Sequence, residues 1–412
     1  MSVRSKQIIF SILVMPCVVF SQDKSSNSSS IWDQEALLGD WGGIRSSLFE
    51  KGYEFAFEYT AEAFSNVSGG VKAGSVYNGL GYGSVDVDAE KVLGWNGASL
   101  RLATIWTHGV SPSQHTGNEL AVSNIDAYDG LRLHEFYIEK EFEKLSLKIG
   151  NLLADEDFVG SAYREVLIND AFGQTASWSA NTLNGGPAFN APGLGLRLRY
   201  DISKAVYMQV GIYDGDVFDD ANGDPVINQH GTHFELGNGQ GWASLYQIGY
   251  NGFDVSDGKD LPGWYRLGAW HHTSEFEKHD GAKTDGNAGI FASIDKLVFR
   301  EQDEQGLGLF GRLGTAKRDR SRFHWTMETG MNYMGLIPGR DEDVISLGYI
   351  YGKHSNEIAT VKSHESVLEL TYLYQVSPAV YIQPDIQWIN RPSGDNTVND
   401  AWAIGLRVGL TF

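Results

Sequence analysis

The last thirteen residues, "DAWAIGLRVGLTF" (400–412), alternate without a break. Trp402, Ile404, Leu406, Val408, Leu410 and Phe412 fall on one side. Ala401, Ala403, Gly405, Arg407, Gly409 and Thr411 fall on the other. A period of two marks a strand with one apolar and one polar face. The same pattern opens the regular part of the chain in "YEFAFEYTAEAF" (53–64), where Tyr53, Phe55, Phe57 and Tyr59 oppose Glu54, Glu58 and Glu62. Such a strand either hides its aromatic face in a core or turns that face to lipid and keeps the carboxylates inside.

Between these two stretches the pattern repeats. Alternating segments fall at 53–64, 76–92, 98–107, 130–139, 145–150, 194–201, 205–213 and 242–250. Eight more follow at 263–272, 287–299, 306–314, 322–334, 344–352, 365–376, 379–389 and 400–412, giving sixteen, an even number. The gaps run long then short: 65–75 then 93–97, 108–129 then 140–144, 151–193 then 202–204, 214–241 then 251–262. A closed antiparallel barrel with long loops at one end and tight turns at the other predicts this rhythm. A sandwich has no reason to alternate loop length, and no fixed repeat marks a propeller or solenoid. The free terminal Phe412 matches the assembly signal of outer-membrane barrels. The sequence therefore predicts an all-β fold, a 16-stranded antiparallel transmembrane barrel over 53–412.

Bulk composition agrees. The chain has 412 residues, with 32 Lys+Arg against 52 Asp+Glu and a formal charge of −20. That balance argues against nucleic acid as a partner, which needs a basic footprint. "MSVRSKQIIFSILVMPCVVFS" (1–21) has a basic start and an apolar stretch too short to span a membrane, and reads as a signal peptide. Cys17, the one cysteine, lies inside it. A polar, Ser-rich leader and a short periplasmic helix are expected over 22–52, with Asp40 as a candidate N-cap and the helix ending at Gly52.

Arginines recur between apolar neighbours: Leu100-Arg101-Leu102, Leu131-Arg132-Leu133, Leu196-Arg197-Leu198-Arg199-Tyr200, Tyr265-Arg266-Leu267 and Leu406-Arg407-Val408. If the apolar neighbours meet lipid, each arginine points into the lumen. The opposite placement would cost about 2–4 kcal/mol at the bilayer midplane. Acidic residues share the predicted inner face, among them Glu54, Glu58, Glu62, Asp86, Asp88, Glu135, Glu365 and Glu369. Mixed guanidinium and carboxylate groups supply the donors and acceptors that a neutral polyhydroxyl solute needs, whereas a phosphate pore would be more one-sidedly basic. The long segment 151–193 carries Phe158, Tyr163, Phe172, Trp178 and Phe189, too many aromatics for a plain surface loop. It is expected to fold inward and constrict the barrel.

Several stretches resemble the carbohydrate-selective porin (OprB) family: "LLGDWGGIRSSLFEKGYEFAFEYTAEAFSNVSGG", "LHEFYIEKEF", "LSLKIGNLLADEDF", "GLGLRLRYDIS", "GIYDGDVFDDANGDP" and "YIQPDIQWINRPSGD". The opening "GDWGG" and "QPDIQW" are the most specific of these, while "NRPSG" departs from the family's more usual Asn-Pro-Gly-Gly. The resemblance implies a sixteen-stranded outer-membrane barrel that passes small sugars, assembled as a homotrimer among lipid and lipopolysaccharide. It also implies that Arg101, Arg132, Glu135, Trp178 and Arg197 line the constriction. The strand pattern adds Arg199, Arg266 and Arg407. No cofactor, metal or catalytic residue is expected.

Two other readings compete. One is a general or anion-preferring pore on the same barrel. The other is a barrel enzyme, for which His108, His115, His134 and His324 are available but no nucleophile motif accompanies them.

Overall fold

The computed structural model describes residues 30–218, 224–237, 239–252, 261–301, 305–358 and 363–412. The expected signal peptide and most of the Ser-rich leader lie outside the described residues. Sixteen strands close into one antiparallel barrel. They are β1 (Tyr53–Ser68), β2 (Gly74–Asp88), β3 (Ala98–Gly109), β4 (Gly130–Glu141), β5 (Leu145–Leu152), β6 (Gly193–Asp201), β7 (Val206–Asp214) and β8 (Trp242–Gly252), continuing as β9 (Gly263–Glu277), β10 (Lys283–Arg300), β11 (Gly306–Ala316), β12 (Phe323–Met334), β13 (Val344–His354), β14 (His364–Ser377), β15 (Val380–Asn390) and β16 (Ala401–Thr411). Each pairs with its neighbour in sequence. The ring shuts where β1 meets β16, with Glu62 directly opposite Arg407. Every predicted segment overlaps one strand.

Side-chain parity follows the prediction as well. Phe57, Leu102, Trp106, Leu131, Ile149, Leu267, Leu313, Leu406 and their like stand exposed on the outer wall. Sixteen strands with apolar residues outward make the lipid-facing band of a membrane barrel. The described helices are too short and polar to cross a membrane.

Loop lengths depart from the expected rhythm at the first hairpin. Residues 69–73 make a tight connection between β1 and β2, while the opposite-end connection 89–97 is longer and holds a helical turn, Ala89–Leu93. Asp88 accepts hydrogen bonds there from the backbone N–H of Glu90 (3.0 Å) and Lys91 (3.1 Å). It serves as a helix cap and is not a lumen carboxylate.

The N-terminal helix, α1 (Ile44–Glu50), lies at the end of the barrel where the chain begins and ends. Asp40 Oδ1 accepts from the Ser46 N–H at 2.7 Å and so caps the helix from outside its first turn. Arg45 donates to the backbone carbonyls of Phe412 (3.2 Å) and Phe55 (3.0 Å). Trp41 packs at 6.1 Å from the rings of both Phe55 and Phe57, on the outer face of β1. The leader thus clasps the closing seam from the outside.

Candidate functional site

Two loops fold into the lumen. Segment 110–129 and segment 153–192 both turn inward. The second carries short helical turns at Ala154–Phe158, Asp170–Gly173 and Ala176–Ser179. On the side formed by β11–β16 and β1, inward residues include Phe64, Phe310, Phe323, Ile350, Val367 and Ile389, which pack against Leu120, Leu167, Ile168 and Phe172 of the loops. A uniformly polar interior is therefore not what the structure has. The exceptions lie where loops need an apolar seat. Glycine makes room at two of these contacts. A Cβ on Gly308 would lie 2.2 Å from Tyr163, and one on Gly348 2.3 Å from Phe172.

Polar groups of the same wall hold the loop backbones. Glu369 accepts from the N–H of Ile168 (2.5 Å) and Asn169 (2.9 Å). Glu365 accepts from Glu119 (3.0 Å) and Leu120 (2.6 Å). Gln383 donates to the Val166 carbonyl at 2.6 Å, and Gln387 to that of Val122 at 2.9 Å. Arg312 donates to the Ala171 (3.0 Å) and Gly173 (3.1 Å) carbonyls and pairs with Glu328. These groups are buried and position the loops. At the loop end, partial desolvation alone would raise the Glu119 carboxyl. Hydrogen bonds from Arg322 and His354 outweigh this and hold it at about 2.

The opposite wall carries charge. Asp86 on β2 faces Arg101 on β3 directly across the ladder. Arg101 grips it through Nε (2.7 Å) and Nη2 (3.1 Å), with Nη1 3.6 Å from Glu135. One row further towards the turns, Glu139, Lys148 and Arg197 are successive partners across β4, β5 and β6. Neighbouring cations repel, and here carboxylates separate them. Arg197 donates to Glu139 at 2.6 Å, while Asp157 of the inward loop lies 3.2 Å from Lys148 and 3.4 Å from Arg197. Arg199 pairs with Asp201 at 3.0 Å and sits 3.9 Å over the Tyr207 ring. Arg266 pairs with Asp295 at 2.7 Å.

Arg132 and Glu135, three residues apart, should face opposite sides of a regular strand, yet both are inward. A bulge accounts for it: Thr104 faces Leu133 while Ala103 faces Glu135, leaving His134 as the extra residue. Arg132 itself is 3% exposed, lies 5.4 Å from the rings of Tyr128 and Phe218, and meets no acceptor among the described residues.

Of the residues singled out from sequence, Arg101, Arg199 and Arg266 keep side-chain exposures of 21%, 23% and 15%. Arg197 and Arg407 are inward but largely covered by their partners. Trp178 differs from expectation. It is 1% exposed, packed with Phe158, Tyr213, Trp270 and Phe291, and offers no free ring face to a solute. Its role is to seat the loop. Lys148 went unread, although "LSLKIGN" sets it between Leu147 and Ile149 as the arginines are set.

The sequence pattern described as "Carbohydrate-selective porin, OprB family" matches residues 76–412. The chain belongs to the carbohydrate-selective porin (OprB) family. Porin B of Pseudomonas aeruginosa is 24% identical over 91% of this chain and 91% of that protein. Two structures of Pseudomonas putida OprB share the fold. The high-pH form has a TM-score of 0.83 at 20% identity, covering 93% of this chain and all of that one. The low-pH form has a TM-score of 0.61 at 19% identity, covering 92% and 99%. The porin is thus a carbohydrate channel of the Gram-negative outer membrane rather than an enzyme.

Proposed function

We propose that this porin passes neutral mono- and small oligosaccharides along the charged wall of β2–β6, with Arg101 and Asp86 as the main contacts and the buried Glu135 behind Arg101. The observation that carries the reading is that the lumen cations described on this wall, Arg132 apart, each stand beside carboxylates. A paired guanidinium and carboxylate present adjacent donors and acceptors to sugar hydroxyls without a net field for anions. Arg197, Lys148 and Asp157 join the wall to the inward loop, and Arg199 and Arg266 extend the polar lining. Glu135 is brought beside Arg101 by the bulge. Residues 1–21 serve as the signal peptide, in keeping with the outer-membrane location, and copies associate as homotrimers, as the family resemblance implies.

The test is single-channel current block by glucose or a disaccharide. Arg101→Ala removes exposed donors, and the blocking constant is expected to weaken roughly tenfold while the protein stays folded. Arg197→Ala weakens block less directly, by loosening Asp157. Wild-type block in both variants would remove these arginines from the solute path.

A further inference from the structure

We propose that the outer wall at the extracellular ends of β11–β13 binds the phosphorylated headgroup of an outer-leaflet lipid, the lipid A moiety of lipopolysaccharide. The proposal rests on the outer-membrane placement of this porin. A cavity of about 540 Å³ opens there, lined by Thr315, Arg318, His324, Trp325, Tyr351 and Lys353. Strand parity puts it outside the barrel. Thr326 and Glu328 beside it are inward and 1% exposed, whereas Leu313, on the same face as Thr315, is 48% exposed to lipid. Its height is the loop end: β11 finishes at Ala316, β12 starts at Phe323 and β13 finishes at His354.

Charge selects the occupant. The chain is acidic by 20 charges, and of the neighbouring loop cations Arg320 and Lys278 are matched with Asp319 and Arg322 with Glu119. The Arg318 and Lys353 side chains have no such carboxylate among the described residues. Cations on a lipid-facing wall are costly at the midplane and tolerated near the interface. There, basic groups attract anionic headgroups. Trp325 and Tyr351 meet edge to face at 5.5 Å, giving the cavity an aromatic side of the kind that settles at the membrane–water boundary. Two unmatched cations above such a pair fit a phosphate on an amphiphile better than a soluble anion, which would leave the aromatic rings unused.

The experiment uses the purified porin in nanodiscs free of lipopolysaccharide, with bound lipid measured by native mass spectrometry. Bisphosphorylated lipid A is expected to bind, and Arg318→Gln/Lys353→Gln to weaken it roughly tenfold to thirtyfold. The variant's rate of glucose entry in liposome swelling is expected to equal wild type, which separates failure of the lipid site from failure of the pore. Equal binding of dephosphorylated lipid A, equal binding of inorganic phosphate alone, or unchanged lipid A binding by the double variant would each overturn the proposal.

Discussion

Glu369→Ala is expected to raise single-channel conductance severalfold and to add current flicker, without opening the barrel. Glu369 on β14 is fully buried and takes two loop N–H groups on its carboxylate, at 2.5 and 2.9 Å. Hydrogen bonds to a charged acceptor are the strong kind. Removing the carboxylate leaves the donors of Ile168 and Asn169 buried and unmet, at about 1–3 kcal/mol each. That penalty falls on the loop alone, because the β14 ladder to β13 and β15 is made by backbone groups. The loop then relieves the penalty by leaving the wall and exposing its donors to water, which widens the path. Glu369→Gln keeps one acceptor oxygen and should lie between. Wild-type conductance and noise in the alanine variant would show that the apolar seat under Phe172 holds the loop by itself.

The second large effect is on stability, at the seam. Arg407 and Glu62 pair across the β1–β16 closure, with Glu62 also accepting from Ser123 at 2.6 Å and Arg407 donating to Asn124. Both are buried, at 6% and 1% exposure. Arg407→Ala strands a buried carboxylate, and loss of one partner of such a pair costs about 3–5 kcal/mol. Replacing both, as Arg407→Met/Glu62→Leu, removes the stranded charge and should recover most of that loss. Urea unfolding in a fixed detergent measures both variants. If the double variant is as unstable as the single one, the pair is not coupled and the seam is held by backbone pairing alone.

Sequence reading went furthest where two faces of a strand differ. The stretch 400–412 states its own parity, and the structure keeps it residue by residue from Ala401 to Thr411. The arginines flanked by apolar residues were legible for the same reason: lipid on one side leaves a charge one direction to point. Lys148 follows that rule too, and a search restricted to arginine passes it over.

What was not legible arises from contacts between distant segments. Trp178 looks like a lumen aromatic in sequence, but the ring is spent on Phe158, Tyr213, Trp270 and Phe291, which only the folded loop brings together. Inward Phe64 and Ile350 break the rule of a polar interior because loop residues cover them. The bulge at His134 shows in "LRLHEFYIEK" only as a slip of phase, from Leu131 and Leu133 to Phe136 and Ile138, and nothing local says that it places Glu135 beside Arg101. The clasp of Arg45 on Phe412 joins residues at opposite ends of the chain, and no local pattern announces it.

The central claim is that paired charges on the β2–β6 wall make this porin selective for neutral sugars. Liposome swelling tests it most directly, using porin-loaded vesicles and solutes of matched size. Glucose and small disaccharides are predicted to enter faster than charged amino acids or sugar acids of similar dimensions, with Arg101→Ala narrowing the difference. Equal rates for all of them, or faster entry of the anions, would contradict the account.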